Sequence, residues 1–176
     1  MKSGIIIIAP LESPLRERVL ALQQRFDPKL AALQVPHVTI TGSSGMGPMS
    51  SRTTVDELRA ALEPIAHTTP PLALPLRAPV RFMQSNVVVL PLDPHGPLRV
   101  LHDRIKATML LAEQPRFTFT PHVTLNFFPE PTPERLREML AVRIEEPVVI
   151  RRLQCHVTLD LTRTRQVLEL ELTGDA

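Results

Sequence analysis

One tetrapeptide, Pro-His-Val-Thr, occurs twice in this chain, at residues 36–39 and again 85 residues later at residues 121–124. Each copy is followed by a branched apolar residue, Ile40 or Leu125. Residues two apart in an extended strand lie on one face, so each His-x-Thr places an imidazole beside a hydroxyl, with apolar side chains on the other face. The repetition predicts two similar strands, and a fold built by internal duplication of a unit of about 85 residues.

Turn signals and apolar periodicity predict strands and helices in the order β-α-β-α-β-β-α-β-α-β-β. Strands are predicted over residues 5–9, 37–41, 70–82, 86–90, 117–127, 148–161 and 166–172. Helices are predicted over residues 14–26, 54–66, 97–112 and from 133 onward, since Ser or Thr caps or a Pro at the first helical position precede each apolar stripe. No linker divides the chain, so we expect one bilobal domain over residues 1–176.

The composition is that of an ordinary globular protein, with 43% apolar and 22% charged residues. A formal net charge of +2 would tolerate an anionic ligand but does not indicate a surface that coats nucleic acid. Cys155 is the single cysteine, which excludes an intrachain disulfide and a cysteine-based zinc site. The single cysteine fits a reducing cytoplasm, so we expect a cytoplasmic protein, monomeric by default. The apolar run at residues 5–8 is too short for a signal peptide or a membrane span and predicts a buried first strand.

The two motif strands are predicted to have one apolar and one polar face. In the first strand the polar face carries His37, Thr39 and Thr41. In the second strand it carries Thr118, Thr120, His122, Thr124 and Asn126. Side by side, such strands would bring two imidazoles and two hydroxyls into one cleft, which suffices for acid–base chemistry on a phosphate without a metal ion.

A third His-Val-Thr, at residues 156–158, lacks the preceding Pro and lies within a long alternating strand. The polar face of that strand also carries Arg152, Gln154 and Asp160, as a solvent-facing strand would. We therefore predict a surface role for His156, unless its strand neighbours one of the other two motif strands. His102, beside charged helical residues, is predicted to lie on a solvated helix face.

The paired motifs, their spacing and the surrounding elements resemble the two-histidine (2H) phosphoesterase superfamily, and within it the 2′-5′ RNA ligase and RNA 2′,3′-cyclic phosphodiesterase family. The resemblance covers nearly the whole chain, from the Ile-rich first strand to Arg116-Phe117 and the second motif. For the fold it implies an α+β architecture. Two pseudo-symmetric lobes of antiparallel sheet, with outer helices, would enclose a central cleft that carries the two His-x-Thr strands.

The resemblance also implies a site and an activity. The catalytic histidines of the family fall on His37 and His122, and its substrate-binding threonines on Thr39 and Thr124. It implies that an RNA or nucleotide 2′,3′-cyclic phosphate is opened to a 2′-phosphate, with His37 as acid toward the 3′ oxygen and His122 as base. The reverse reaction would join a cyclic phosphate end to a 5′ hydroxyl through a 2′-5′ bond. It implies no metal, no cofactor, no membrane and no obligatory protein partner.

The chain departs from the family pattern just after the second motif, where many RNA-active members have a small residue and Arg. Here Asn126 and Phe127 follow, so the basic contact to phosphate or RNA is expected from elsewhere. Candidates for that contact are Arg151, Arg152, Arg163 and Arg165. Candidates for stacking a base are Phe82, Phe117 and Phe127, although most of the six Phe residues are expected in the core.

Three alternatives stay open from the sequence. The chain could be a non-catalytic RNA-binding module, or a 2H phosphoesterase that acts on a different cyclic phosphate or on a 2′-5′ oligonucleotide. The third alternative is a metal-dependent hydrolase with His37, His122 and His156 as ligands. Against a metal site, no acidic residue stands at ligand spacing beside these histidines, and the repeated Thr would have no role.

Overall fold

The computed structural model describes residues 4–108, 110–159 and 163–175, and within them nine strands and five helices. The strands are β1 (Ile5–Pro10), β2 (His37–Thr41), β3 (Leu72–Leu74), β4 (Val80–Arg81), β5 (Val88–Pro91), β6 (His122–Asn126), β7 (Val148–Ile150), β8 (Arg152–Thr158) and β9 (Thr164–Glu171). The helices are α1 (Leu15–Phe26), α2 (Pro28–Leu33), α3 (Val55–His67), α4 (Pro97–Lys106) and α5 (Pro133–Leu140). Met109 and Asp160, which fall in a predicted helix and a predicted strand, lie outside the described residues.

Seven strands form one sheet in the order β4-β5-β6-β2-β1-β8-β9, and every neighbouring pair is antiparallel. The other two strands, β3 and β7, pair antiparallel in a small separate sheet. The predicted α+β architecture with antiparallel sheet is therefore confirmed. The two motif strands, β2 and β6, lie side by side in the middle of the large sheet, so both halves of the chain contribute to one surface.

An approximate twofold symmetry relates the two halves of the large sheet. The strand β1 pairs with β2 as β5 pairs with β6, and a Pro lies opposite each motif His. The matching pairs are Pro10–His37 and Pro91–His122, Ile8–Thr39 and Val89–Thr124, and Ile7–Thr41 and Val88–Asn126. Both pairings skip one residue at the same place, and β2 and β6 have the same burial pattern. This matching register is the internal duplication that the repeated tetrapeptide predicts.

The apolar faces of the motif strands form the centre of the hydrophobic core. Val38 and Val123 pair directly across β2 and β6, and both are fully buried. One apolar cluster joins them to Val19 of α1 and Leu101 of α4. The helices therefore pack on the face of the sheet opposite to the His and Thr side chains of the motifs. This packing places the polar face of β2 and β6 on the side of the sheet away from these helices.

Two segments predicted as single strands are each divided between the two sheets. Residues 148–161 form β7, which pairs with β3, and then β8, which pairs with β1 and β9. The chain breaks at Arg151, whose carbonyl accepts a hydrogen bond from the Leu172 amide over 2.8 Å. Residues 70–82 divide in the same way into β3 and β4, and the break begins at Pro75, which has no N–H to donate.

The ends of two predicted helices were wrong. The predicted start of α1 was Pro14 with Ser13 as cap, but the helix begins at Leu15, and the Ser13 hydroxyl donates to Glu17 over 2.7 Å instead. The helix α4 ends at Lys106 rather than near Ala112, because the backbone of residues 111–113 pairs with residues 47–50. By contrast, Thr54 caps α3 in a reciprocal capping box with Glu57, as expected.

The second motif strand is also shorter than predicted, since β6 begins only at His122. The preceding residues follow the loop after β2 instead of the sheet. The Gly45 amide donates to the Phe117 carbonyl over 2.8 Å, and the Thr120 amide donates to the Ser44 hydroxyl over 3.2 Å. These contacts place Thr120 directly before the motif but outside the sheet, so its carbonyl remains available to a side chain.

Candidate active site

The two His-x-Thr motifs face each other across the β2–β6 pair. Val38 lies opposite Val123 in an antiparallel register. One residue further in each direction, this register sets His37 opposite Thr124 and Thr39 opposite His122. All four side chains therefore share one side of the sheet, opposite to the two buried valines. We call this surface, defined by His37, Thr39, His122 and Thr124, the His-x-Thr face.

Each motif His is anchored by the backbone two residues before it. The Nδ1 atom of His37 lies 2.8 Å from the Val35 carbonyl, and the Nδ1 atom of His122 lies 2.7 Å from the Thr120 carbonyl. A carbonyl oxygen can only accept, so Nδ1 carries the proton in both rings. Within the described residues neither Nε2 atom has a hydrogen-bond partner. In the neutral state, each Nε2 therefore presents a lone pair that could accept a proton from a ligand.

The Pro before each His supports this anchor. A Pro disfavours helical backbone for the residue before it, so Val35 and Thr120 are held extended. The Pro36 carbonyl accepts a hydrogen bond from the Leu11 amide, and the Pro121 carbonyl accepts one from the Leu92 amide, both over 2.9 Å. The two anchoring carbonyls were not predicted from the sequence. The Pro before each motif His could have indicated them, because it is present in both copies of the repeat and holds the preceding residue extended.

The two imidazoles are partly buried, and this environment changes their acidity. Burial lowers the pKa of His37 and of His122 below the usual 6.5, while the hydrogen bond to the carbonyl opposes the shift in each. The positive charges of His122 and His156 also lower the pKa of His37. Double protonation of the pair is therefore disfavoured, and a state with one protonated and one neutral ring is accessible on the acid side of neutrality.

The motif threonines are partly exposed, and their hydroxyls are available to a ligand. Neither the Thr39 nor the Thr124 hydroxyl makes a hydrogen bond to another described residue. Each stands opposite the His of the other motif, as the register requires. The arrangement thus offers two hydroxyl donors between two imidazoles, which suits an anion with two free oxygen atoms.

The other polar residues of the predicted strand faces do not join the site. Thr41 is fully buried, because the register shift at the end of β2 moves it off the exposed face. Asn126 is also fully buried, and its amide donates to the Asn86 carbonyl over 2.7 Å and to the Pro129 carbonyl over 2.9 Å. Thr118 and Thr120 precede β6. The prediction that these four residues share the strand face is therefore wrong.

The Phe residues divide between core and surface. Only Phe26 and Phe119 of the six are buried, so the expectation that most are core is wrong. Phe82 is partly buried, and its ring meets the His122 ring edge to face with 5.2 Å between centroids. Phe117 and Phe127 are 68% and 52% exposed, but neither contacts a motif His. Of the three stacking candidates, Phe82 is the one that borders the site.

His156 lies on the same side of the sheet as the motif histidines. Its strand, β8, is separated from β2 by β1, so it does not neighbour a motif strand directly. The ring is partly buried, and its Nδ1 lies 3.2 Å from the Thr164 hydroxyl, while its Nε2 lies 3.1 Å from Gln154 Oε1. Burial lowers its pKa. His156 therefore flanks the His-x-Thr face through an intervening strand.

His102 is not on a solvated helix face, and that prediction was wrong. Its side chain is 1% exposed and stacks on the Phe119 ring with 4.1 Å between centroids. Gly45, at φ +70°, packs against the same ring, and a Cβ there would come within 2.5 Å of the His102 Nε2. The ring thus helps to hold the loop after β2 in place, which the charged sequence around it did not indicate.

Two of the four candidate arginines form salt bridges within the protein. Arg151 and Arg152 both pair with Glu12, at 3.3 and 3.6 Å. Arg165 pairs in register with Val157, on the face opposite to His156. Arg163 is exposed beside the start of β9. None of the four borders a motif His directly through the strand register.

The described part of the chain contains neither a cluster of metal-ligating side chains nor a helix that could span a membrane. Over residues 4–108, 110–159 and 163–175, no three His, Cys, Asp or Glu side chains approach one another as metal ligands would. The three-histidine metal alternative therefore has no cluster to support it. In the same ranges no helix is long and apolar enough to cross a membrane.

The sequence and the fold are similar to those of known proteins. The sequence model of the 2′-5′ RNA ligase superfamily matches residues 11–162, a range that includes both motifs. No curated protein sequence matches the chain.

Solved structures share the fold at low sequence identity. The structure of E. coli LigT complexed with 3′-AMP is 18% identical, with a TM-score of 0.59 over 99% of this chain and 100% of that chain. E. coli LigT complexed with phosphate is 19% identical, with a TM-score of 0.58 over 98% of both chains. The protein TT0787 of Thermus thermophilus is 12% identical, with a TM-score of 0.63 over 99% of this chain and 100% of that chain.

Proposed function

The chain belongs to the 2′-5′ RNA ligase superfamily of 2H phosphoesterases, and we propose that it is a metal-independent RNA 2′,3′-cyclic phosphodiesterase that produces 2′-phosphate ends. The observation that carries this proposal is the facing pair of motifs, with both Nε2 atoms and both Thr hydroxyls unengaged. Cyclic phosphodiesterase activity fits this arrangement because ring opening of a cyclic phosphate requires one base and one acid.

In the proposed reaction, water attacks phosphorus in line with the departing ribose 3′ oxygen. The neutral His122 takes a proton from the water through Nε2, and the protonated His37 gives its Nε2 proton to the 3′ oxygen. The P–O bond to the 3′ oxygen breaks as the new P–O bond forms, and the phosphate stays on the 2′ oxygen. The two rings are anchored alike, so their geometry does not distinguish the acid from the base. The assignment of roles therefore follows the resemblance to the family.

The Thr39 and Thr124 hydroxyls are proposed to donate hydrogen bonds to the two non-bridging phosphate oxygens. Negative charge increases on these atoms as water attacks, so preformed donors stabilise the transition state more than the ground state. In the ligation reaction a 5′ hydroxyl would attack the cyclic phosphate in place of water, with the same His roles, and a 2′-5′ bond would result. Cleavage of that bond by the 3′ hydroxyl would exchange the two His roles.

The substrate end is proposed to be a nucleotide whose base lies beside Phe82. That ring stands next to His122 and is the Phe side chain in contact with a motif His among the described residues. A stacked base is tolerant of sequence, because every base has a π-face. The proposal is therefore for broad specificity toward RNA ends rather than recognition of one base.

The test is a short RNA with a 2′,3′-cyclic phosphate, incubated in EDTA with the purified protein and with His37→Ala and His122→Ala. The wild type is expected to open the ring to a 2′-phosphate. Each His variant is expected to lose at least about a hundredfold in rate, the usual contribution of one positioned acid or base. The matched control is His95→Ala, at an exposed turn before α4.

Three outcomes would contradict the proposal. A 3′-phosphate product would reverse the assigned leaving group. Rates that fall in EDTA and recover with a divalent metal would support a metal-dependent mechanism. Binding of the RNA without turnover, unchanged in both His variants, would favour the non-catalytic binding module.

A further inference from the structure

The twofold symmetry of the sheet gives His156 and Phe82 equivalent places. Ile6 pairs with His156 on the outer side of β1. The residue equivalent to Ile6 in the other half is Val87, since Ile7 and Val88 occupy matching places in the two pairings. The Val87 carbonyl accepts the Phe82 amide over 2.9 Å, so Phe82 lies opposite Val87. Two rings thus flank the His-x-Thr face, one on each side and each two strands from the motif.

On one side of the His-x-Thr face, the Phe82 ring is held in place by a turn and by its contact with His122. The Phe82 carbonyl accepts hydrogen bonds from the Ser85 amide over 3.3 Å and from the Ser85 hydroxyl over 3.0 Å, which closes a tight turn between β4 and β5. The ring itself rests edge to face against His122. On this side, a ligand base would meet an apolar ring that is already positioned.

On the other side, the His156 ring is held at both edges. Gln154 donates its amide to Glu169 over 2.6 Å, which turns its carbonyl oxygen toward His156. The Nε2 atom therefore donates to Gln154, and the Nδ1 atom accepts from the Thr164 hydroxyl in the neutral ring. Burial lowers the pKa of His156, which favours this neutral state.

These hydrogen bonds limit what His156 can offer to a ligand. Both nitrogens are occupied by protein partners, so neither is available as an acid, a base or a metal ligand without breaking a contact. What is left is a flat, partly exposed aromatic ring, held in one orientation by its two hydrogen bonds. A ring in this condition is suited to stacking rather than to proton transfer.

We propose that His156 is a second stacking platform, which takes the base of a nucleotide on the far side of the phosphate from Phe82. The His-x-Thr face would then bind two nucleosides joined through one phosphate, one base on each ring. This inference rests on the proposed function, because it assumes that the phosphate lies between His37 and His122. It adds that the site extends over two nucleotides and that the third His-Val-Thr serves binding.

The test compares two ligands that cannot be turned over. One is 3′-deoxyadenylyl-(2′→5′)-adenosine, which has no 3′ hydroxyl to form a cyclic phosphate, and the other is 3′-deoxyadenosine 2′-monophosphate. Calorimetric Kd values are measured for both with the wild type, His156→Ala, His156→Phe and His156→Asn. His95→Ala is the control, and thermal unfolding of each variant shows that it is folded.

The wild type is expected to bind the dinucleotide roughly tenfold more tightly than the mononucleotide, the contribution of one further stacked base. The ratio of the two Kd values should fall toward one in His156→Ala and should be restored in His156→Phe but not in His156→Asn. Restoration by Asn alone would show a polar contact and overturn the stacking proposal. An unchanged ratio in His156→Ala, or no binding of either ligand to the wild type, would also overturn it.

The outcome separates this inference from the proposed function. If the wild type does not open a cyclic phosphate but the Kd ratio depends on an aromatic ring at position 156, the catalytic proposal fails and the second platform stands. If the ring is opened to a 2′-phosphate while the ratio is the same in all variants, the catalytic proposal stands and the second platform fails.

Discussion

The Val35 and Thr120 carbonyls each accept a hydrogen bond from the Nδ1 of the motif His two residues later. One backbone contact therefore decides three properties of each ring, namely its orientation, its tautomer and which nitrogen faces a ligand. The same contact opposes the lowering of the His pKa by burial. Single backbone contacts thus determine the orientation and protonation of the two imidazoles.

The first prediction concerns the pH dependence of kcat/KM. The proposed mechanism requires one neutral and one protonated His, so the profile should be bell-shaped. Because burial lowers both pKa values below 6.5, the rate is lost on the alkaline side as the acid deprotonates, and the maximum should lie below about pH 6.5. The profile is measured with a nucleoside 2′,3′-cyclic phosphate at subsaturating concentration. A rate that rises steadily to pH 10 would contradict the paired roles.

The second prediction concerns the Thr hydroxyls. Thr39→Val and Thr124→Val keep the shape of the side chain but remove the donor, so each should lower kcat by roughly 10²-fold to 10³-fold, as loss of one oxyanion donor does. Thr→Ser at either position keeps the hydroxyl and serves as the matched variant, with most of the activity retained. Steady-state kinetics and thermal unfolding are measured together. Full activity in both Val variants would exclude the Thr hydroxyls from phosphate binding.

At the scale of elements, one buried carboxylate joins α2 to the end of β6. Asp27 is fully buried, and it accepts hydrogen bonds from the amides of Leu30, Phe127 and Phe128 over 3.0, 2.8 and 2.8 Å. It caps α2 and also fixes the backbone directly after the second motif. These contacts use the backbone amide of Phe127 and do not account for its side chain.

The third prediction follows from that junction. Asp27→Ala would leave three backbone donors without their acceptor, so it should lower the free energy of unfolding by at least about 3 kcal/mol. The matched control is Thr132→Ala, which removes the exposed cap of α5 and should cost about 1 kcal/mol. Urea denaturation of both variants gives the comparison. Equal losses would show that burial of the Asp27 junction contributes little.

The elements that the sequence predicts well are those whose signals are local. The caps at Thr54 and Thr132 and the motif strand β2 needed only neighbouring residues. The errors lie where distant segments compete for the same backbone. The helix α4 stops at Lys106 because residues 111–113 pair with the loop near Met49, and the strand after Val148 breaks because its two parts pair in different sheets.

The shared face of the two motifs was predictable for a similar reason, and the errors around it have the same cause. A His and a Thr two residues apart, repeated after a Pro, predict one shared face from alternation alone. Alternation fails at Thr41 and Asn126, because both strands shift register at that point, and a register shift is set by the partner strand. The partners of His156 and the burial of His102 depend on segments that alternation does not describe.

At the scale of the whole molecule, the two halves meet in one continuous sheet through the β2–β6 pair. Acid–base groups from both halves therefore lie on strands that also hold the core together, with Val38 and Val123 directly behind them. The backbone position of each motif His therefore depends on core packing. The same arrangement buries imidazoles, which links the stability of the fold to pH.

The fourth prediction is that the free energy of unfolding rises with pH between about 5.5 and 7.5. Four histidines have pKa values lowered by burial in the folded state: His37, His102, His122 and His156. Below about pH 6.5 the unfolded chain binds more protons than the folded one, so stability is lost as pH falls, by at most about 1.4 kcal/mol per pH unit for each His. The lowered carboxyl pKa values act below this window, and the thiol of Cys155, whose pKa is raised to about 12, acts above it.

His102→Leu separates the structural part of this dependence from the part that belongs to the site. His102 is buried against Phe119 and away from the motif strands, with Asp103, Arg99 and Lys106 as the charges that act on it. Removing its imidazole should flatten the slope of stability against pH while the pH profile of kcat/KM keeps its shape. The control is His95→Leu, which removes an imidazole from an exposed turn. An unchanged slope in His102→Leu would mean that His37, His122 and His156 alone link folding to pH, and stability would then report on the protonation of these three rings.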